Sequence, residues 1–501
     1  MTDRCLPVRA IITAAIGLGV AGDLLLRASG GPGLNFLLLF AGLAVSVWIA
    51  GRDSESPPGR EAAAWMGVGV LCAAALLWRG SGLLRFVTFV AACAAFALPA
   101  LEAGRGWVRR SGVLDVVEAV LGAGVHAVFG GFRLMQRRNW GSIGTEEGHG
   151  TARGVARTAL VGTLLAVVPL VVFGALFISA DEVFATIIGD FVRVDLEVFA
   201  SHLLAIGVLT WLACGYLVGV SSGTRLNAIR DVRPIVPSFG VAEVATALAL
   251  VDLLFLGFVT VQFRYLFGGA GWVEVTPGLT YAAYARAGFF QLVAAVALAV
   301  PWLLVTHTLL DNAGAKGRAA FFGFAGVHVL LLFAIVASAI QRMVVYQAAY
   351  GLTEERVVAT AVLVWLTVVL VWFWATVSSG RRDRFAFGGL VTAFVLIGAL
   401  QLLNPAGLVA RHNLDRADAS VAVDVEYLAS LGSDAAPHLL AHLDELAEES
   451  QCLVAHRLLD RWGPDRPADW RSFNWSESLA RRAVRREAPA LGRYAAGVAC
   501  P

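Results

Sequence analysis

The sequence predicts an all-α protein: a polytopic transmembrane helical bundle of about 11 spans, followed by a small soluble helical domain. Three observations support this. The 501 residues are 58% apolar and 15% charged, with a mean hydropathy of +0.72, whereas a soluble domain is about a quarter charged. The apolar residues form long blocks, several of them reaching the length of about 20 residues that a helix needs to cross the hydrocarbon core. After residue 404 these blocks end and polar sequence begins.

The apolar blocks divide the chain into a series of predicted membrane helices. They cover residues 9–27, 33–50, 62–78, 83–101, 156–178, 201–220, 239–262, 288–310, 320–341, 357–377 and 386–403. We therefore expect a group of four membrane helices in 1–101, a cytoplasmic amphipathic helix and glycine-rich linker in 102–155, a main membrane domain of about seven spans in 156–403, and a soluble α-helical domain in 404–501.

Two stretches predict helices that do not span the membrane. Val113 to Met135 is amphipathic and precedes Gln136-Arg137-Arg138, which is typical of a helix lying on the inner membrane face. In the C-terminal region, 415–431 and 434–448 have helical periodicity and are separated by Gly432-Ser433. Such helix pairs resemble a short α-solenoid, a scaffold that usually binds a partner.

The distribution of arginine predicts the orientation. Lys316 is the only lysine, which we interpret as the codon bias of a GC-rich bacterial genome. Arginines concentrate in alternate loops, and cytoplasmic loops are the basic ones. The N-terminus is then cytoplasmic, and an odd number of spans places the C-terminal domain outside the cytoplasm, at the bacterial inner membrane. The net charge of +2 gives no indication of a nucleic-acid partner.

Three polar residues within predicted spans are candidates for function. Asp252 lies near the middle of its span, where a carboxylate must face a partner or water. Glu243 is nine residues earlier, about two and a half turns away, and so points to roughly the opposite face. His328 is a candidate partner in a later span. The group predicts either a proton or cation relay, or a structural hydrogen bond between helices.

Arg264 and Arg342 are predicted at the outer ends of their spans. They are candidates for binding an anionic headgroup or a substrate phosphate. Arginine at the end of a span also commonly extends its side chain to the interface without a specific ligand, and the sequence leaves both interpretations open.

The C-terminal region contains a candidate metal set, His438, His442, Cys452 and His456. Spacings of four place each pair on one face of a helix, and four nitrogen and sulfur ligands suit zinc. Partly buried surface residues are the alternative, and Cys452 could instead pair with Cys500 outside the cytoplasm. No cofactor is expected. Gly17 to Gly22 matches the dinucleotide fingerprint, but an apolar span follows it, so we interpret these glycines as a helix interface.

Several short stretches resemble a bacterial multi-pass membrane family over roughly residues 150–480. The family is catalogued as a domain of unknown function, the 4173 type, and the resemblance implies a membrane protein without assigning an activity. The stretches are Ser179–Phe184, Gln262–Gly269, Gly278–Tyr281, Tyr350–Glu354, Asn404-Pro405, Ala410–Leu414 and Asp469–Asn474.

Three functional hypotheses follow. The first is a non-enzymatic scaffold or signalling component whose outward helical domain binds an envelope protein, because no catalytic motif is present. The second is a proton- or cation-coupled secondary transporter, based on Asp252, Glu243 and His328. A weak internal repeat also favours it: Gln262-Phe263-Arg264 and Gly278-Leu279-Thr280 recur as Gln341-Arg342-Met343 and Gly351-Leu352-Thr353, which predicts a duplicated helical hairpin. The third is an enzyme acting on lipid-linked substrates, with Asp23 and Asp181 as acids.

Overall fold

The computed structural model is helical throughout the part of the chain that it describes, with no strand there. That part comprises residues 8–27, 30–52, 59–100, 108–136, 177, 180–181, 196–222, 241–275, 289–309, 315–416 and 423–496. The predicted all-α fold with a polytopic helical bundle is confirmed.

The described helices are numbered here in chain order. Those of the membrane region are α1 Val8–Leu26, α2 Leu34–Arg52, α3 Arg60–Ala75, α4 Gly82–Ala97, α5 Val113–Gln136, α6 Leu196–Ser222, α7 Val241–Val275, α8 Phe289–Leu309, α9 Ala315–Tyr350, α10 Glu354–Ser378 and α11 Phe385–Leu403. Those of the C-terminal region are α12 Pro405–Asp415, α13 Val425–Ser430, α14 Ala436–Ala441, α15 Glu448–Trp462 and α16 Trp475–Ala495. Short 3-10 turns lie at Val108–Arg110, Arg382–Arg384, Leu443–Glu445 and Trp470–Ser472.

Within the described residues, eight helices are long and apolar enough to cross a membrane: α1, α2, α5, α6, α7, α9, α10 and α11. The chain is therefore a multi-pass membrane protein. The apolar segments of α4 and α8 are shorter, and α3 has 16 residues. The predicted span 156–178 lies outside the described residues, except for Phe177.

The surface helix expected at 113–135 stays a prediction, because α5 is also long and apolar enough to cross a membrane. α5 packs along α6, and its Leu134 is buried in a core shared with α1 and α2. The two helices approach so closely that a Cβ atom on Gly130 would lie 2.5 Å from the carbonyl oxygen of Gly215. The surface-helix interpretation relied on amphipathicity, but glycines that allow two backbones to touch also favour helix association within a membrane.

The membrane helices form two cores that α11 joins. One core lies among α1 to α6, with Ile11, Phe40 and Leu217 at its centre. As predicted for the glycine-rich segment Gly17 to Gly22 of α1, a Cβ atom on Gly19 would lie 2.0 Å from Thr210 Oγ1, so glycine permits the contact between α1 and α6. The second core lies among α7 to α10. α11 packs on α10 and also contacts α3 and α4.

The contacts of α11 are polar at one end and aromatic at the other. Gln401 Nε2 donates to Thr88 Oγ1 of α4 at 2.8 Å, and the Arg79 guanidinium donates to the Gln401 carbonyl at 2.7 Å. At the opposite end, the ring of Trp65 lies 6.2 Å from that of Phe387. Both halves of the membrane region are therefore held against one helix.

Helices α12 to α16 have a hydrophobic core of their own. Val409, Leu428, Leu439, Leu458 and Val484 are buried there, one from each helix. Asn404 begins this group in a left-handed conformation (φ 55°), and its side chain accepts a hydrogen bond from Gly407 N. Asparagine tolerates this conformation better than most residues, so the chain turns sharply between α11 and α12.

This C-terminal domain docks on the turn between α3 and α4. Asn474 is 2% exposed, and its Nδ2 donates to the carbonyls of Leu76 at 2.8 Å and Arg79 at 3.0 Å. Asp434 accepts from Gly80 N at 2.5 Å and lies 3.5 Å from the Arg79 guanidinium. These contacts bond to backbone groups of the turn, among them the Arg79 carbonyl, which also accepts from Arg85 Nε at 2.9 Å.

Two further contacts hold the domain at the same end of the bundle. At the start of α2, Leu34 N donates to the Phe473 carbonyl at 3.1 Å. At the turn between α9 and α10, the Asn413 amide accepts from Leu352 N at 2.9 Å and donates to its carbonyl at 2.8 Å. Nearby, the Tyr427 hydroxyl accepts from Glu354 N, and burial raises the pKa of Tyr427 to about 12. All three turns therefore lie on the side of the membrane that carries the C-terminal domain.

We predict that Asn474→Ala weakens this docking. The change removes two hydrogen bonds to buried carbonyls and the N-cap of α16, since Asn474 Oδ1 also accepts from Glu477 N. We expect a loss of roughly 2 kcal/mol in stability, measured as a lower melting temperature and faster proteolysis near Gly463. Ser478→Ala is the control, because its hydroxyl bonds only within α16. An unchanged rate of proteolysis for Asn474→Ala would contradict the docking role.

Candidate functional site

Asp252 and His328 form a buried pair between α7 and α9. His328 Nδ1 lies 2.6 Å from Asp252 Oδ1, and the two residues are 0% and 6% exposed respectively. Asp252 is close to the middle of the apolar segment Val241–Val261, and the ring of Phe255 lies 4.7 Å from the imidazole. The structure thus brings together two of the residues that the sequence singled out.

Each partner of this pair retains an unused polar atom. Asp252 Oδ2 and His328 Nε2 are both buried and make no hydrogen bond. An ionised side chain alone at this depth costs about 2.5–3.5 kcal/mol on insertion scales, so the two groups stabilise each other. The pair can hold a proton at its centre and offers two further positions where a proton or water can bind.

The other predicted membrane residues do not join this pair. Glu243 is exposed in the first turn of α7, as its helical spacing from Asp252 predicts. The side chain of Arg264 lies outside the described residues. Arg342 is 9% exposed, and α9 continues for eight residues beyond it to Tyr350. Arg342 is thus buried within the packed helix, and its position at the outer end of a span stays a prediction.

The predicted metal set does not assemble. No group of three or more His, Cys, Asp or Glu side chains suited to a metal occurs among the described residues, and all four candidates are described. Cys452 is disulfide-bonded, with a partner outside the described residues. His456 is exposed, and His442 Nδ1 lies 3.0 Å from the carbonyl of His438. Burial, with Arg411 nearby, lowers the pKa of His438.

A network that the sequence analysis did not predict joins α1 to α6. Asp23 is buried and accepts a hydrogen bond from Arg27 at 2.6 Å, while its second oxygen lies 2.5 Å from His202 Nδ1. Arg27 also donates to Ser201 at 3.1 Å. The spacing of Asp23 and Arg27, four residues apart, was the only available signal for this network. The carboxylate that the enzyme hypothesis takes as an acid is thus held by an ion pair with Arg27 and a hydrogen bond with His202.

The C-terminal domain presents a basic surface on α16. This helix contains five arginines and two glutamates. Arg482, Arg485, Arg486 and Arg493 are exposed, and none of them forms an ion pair within the described part of the chain. We call these four residues the α16 basic face. A concentration of unpaired guanidinium groups attracts carboxylate or phosphate groups of a partner.

The comparisons with known proteins identify a family without assigning an activity. The chain matches no curated protein and no solved structure. The model of a family described as "Domain of unknown function (DUF4153)" matches residues 66–442. The more specific assignment to the 4173 type is not supported and is corrected. Because the match covers most of the chain, the protein belongs to the DUF4153 family.

Proposed function

We propose that this integral membrane protein is a non-enzymatic envelope scaffold or signalling component whose C-terminal domain binds an acidic protein partner. The observation that carries the proposal is the combination of docking on three membrane turns with an exposed α16 basic face, of which only Arg485 donates a side-chain hydrogen bond to the described residues, to the Arg466 carbonyl. Binding at such a face is transmitted to the membrane helices, because the domain contacts the ends of α2, α3, α4 and α10 directly.

Two features support a location of this domain outside the cytoplasm of a bacterial cell. Cys452 is disulfide-bonded, and disulfides persist mainly in oxidising compartments. The turns that the domain contacts are also those expected outside when the basic loops are cytoplasmic. The second argument holds whether or not α5 crosses the bilayer. The three turns contact one domain and so lie on one side of the membrane, whatever the number of spans between them.

We predict that the two ends of the bundle differ in their accessibility to reagents. In spheroplasts, a membrane-impermeant maleimide should label Arg486→Cys above the parent protein. Arg381→Cys, an exposed position in the connection between α10 and α11, should react only after the membrane is permeabilised. If only Arg381→Cys were labelled in intact spheroplasts, the protein would have the opposite orientation, and an envelope partner of the C-terminal domain would be contradicted.

We predict that the α16 basic face is needed for partner binding. A photo-crosslinking amino acid at position 485 should give a discrete protein adduct in intact cells. The double variant Arg482→Glu and Arg486→Glu should reduce its yield at least about tenfold, because like charges then face each other. The same variant should also fail to complement a gene deletion. These substitutions test the basic face more specifically than a deletion of residues 405–501, because the deletion would also expose the membrane turns on which the domain docks.

The matched control is Arg411→Glu with Arg457→Glu, which makes the same charge change on α12 and α15 of the same domain. Both of these side chains are exposed. The control should leave the adduct and complementation unchanged. An equal loss in both variants, or an adduct that contains lipid and no protein, would refute the proposed partner.

The buried Asp252–His328 pair favours a second candidate, a proton- or cation-coupled secondary transporter. Intramembrane acids with a partner and unused polar atoms are typical of proton relays. The duplicated hairpin predicted from the sequence lies partly outside the described residues. An enzyme acting on lipid-linked substrates gains no specific support, since Asp23 is held by Arg27 and His202.

We predict for this second candidate that the protein in liposomes supports a flux dependent on a pH gradient, and that Asp252→Asn abolishes it. Asparagine keeps the volume and a hydrogen bond to His328 but does not titrate. Glu243→Gln, in the exposed first turn of the same helix, should retain the flux. Absence of flux across a broad substrate panel would reject transport. Normal complementation by Asp252→Asn would favour the scaffold.

A further inference from the structure

A basic pocket lies at the end of the membrane bundle opposite the C-terminal domain. Its volume is about 630 Å³, and it is lined by Arg109, Arg110, Trp372, Arg384 and Phe387. These residues come from the 3-10 turn Val108–Arg110, the end of α10, the 3-10 turn Arg382–Arg384 and the start of α11. Tertiary packing thus brings together arginines that are more than 270 residues apart in the sequence.

The wall of this pocket is fixed by buried contacts. Glu61, 8% exposed, accepts a hydrogen bond from Val108 N at 2.7 Å and pairs with the Arg109 guanidinium at 3.1 Å. The Arg109 guanidinium also lies 5.7 Å from the centre of the Phe387 ring. Glu61 therefore positions the turn and offsets one of the three charges, so Arg109 serves mainly to shape the site.

The two remaining arginines are available to a ligand. Arg110 and Arg384 are exposed, and neither side chain makes an ion pair or a hydrogen bond with the described residues. The indole Nε1 of Trp372 is buried and has no hydrogen-bond partner. That nitrogen faces Gly388, so the described lining supplies guanidinium donors and aromatic rings, and no carboxylate lines it. Two guanidinium groups beside aromatic rings suit an anion with several oxygen atoms.

We propose that this pocket binds a phosphate group carrying an apolar or bulky substituent. Guanidinium groups bind phosphate through paired hydrogen bonds, and a volume of this size holds more than the phosphate itself. The rings of Trp372 and Phe387 contact the rest of the ligand. Two sources share this chemistry: the headgroup of an anionic phospholipid at the membrane surface, and a soluble phosphate ester or pyrophosphate.

The test uses the full chain purified in a neutral detergent. A short-chain fluorescent phosphatidylglycerol and inorganic pyrophosphate serve as the two probes, with fluorescent phosphatidylcholine as the uncharged reference. We expect saturable binding of phosphatidylglycerol or of pyrophosphate. The double variant Arg110→Gln with Arg384→Gln should weaken it at least about tenfold, because each lost guanidinium removes charge-assisted hydrogen bonds.

Arg381→Gln provides the control, since it removes an exposed charge from the same end without lining the pocket. It should bind within about twofold of the wild type. Arg110→Lys with Arg384→Lys keeps the charge and should bind with intermediate affinity, because lysine lacks the planar fork. The melting temperature of each variant without ligand verifies that it is folded.

The outcomes distinguish the two sources and can reject the site. Binding of phosphatidylglycerol that pyrophosphate does not displace identifies a headgroup site. Displacement by pyrophosphate identifies a site for soluble phosphate compounds. Absence of saturable binding by both probes, or an equal loss in the Arg381→Gln control, would overturn the proposal. None of these results depends on whether the α16 basic face binds a protein.

Discussion

The structure depends on the satisfaction of polar backbone groups at the ends of membrane helices. A helix leaves its last four carbonyls without internal partners, and such groups are costly near hydrocarbon unless something bonds to them. In this protein the carbonyls of Cys72 to Ala75 at the end of α3 accept from the following turn, and the C-terminal domain bonds to the turn itself: Asn474 donates to the carbonyls of Leu76 and Arg79, and Trp475 N donates to the Leu77 carbonyl at 2.6 Å. The C-terminal domain is therefore structurally part of the membrane bundle.

This constraint explains why the domain is attached at three turns. Its contacts at α2, at the α3–α4 turn and at the α9–α10 turn each pair backbone groups with a side chain or with backbone of the domain. The buried ion pair of Arg79 with Asp434 adds geometric specificity more than stability, because desolvation offsets much of its attraction. Any ligand that moves α16 must act on these same turns.

The three groups of polar side chains described above lie at different depths along the bundle axis. The α16 basic face is on the docked domain, the Asp252–His328 pair is between two membrane helices, and the pocket of Arg110 and Arg384 is at the opposite end. α10 links two of these depths, since it starts beside Tyr427 of the domain and carries Trp372 of the pocket about two turns before its end at Ser378. The helix rises about 27 Å between Glu354 and Trp372, so one continuous helix joins the two surfaces.

The sequence by itself determined the membrane character and most of the helices, because a long apolar block predicts a membrane helix without reference to the rest of the chain. It also identified Asp252 and His328 as candidates, because an ionisable residue within such a block needs a partner. It did not determine the packing of α5, the network of Asp23 with His202, or the basic pocket. The helical spacing of His438 and His442 predicted a metal set that does not assemble among the described residues, since ligands must converge in three dimensions. Only the tertiary structure decided which distant residues meet, because helix association depends on close backbone contacts such as that of Gly130 with Gly215.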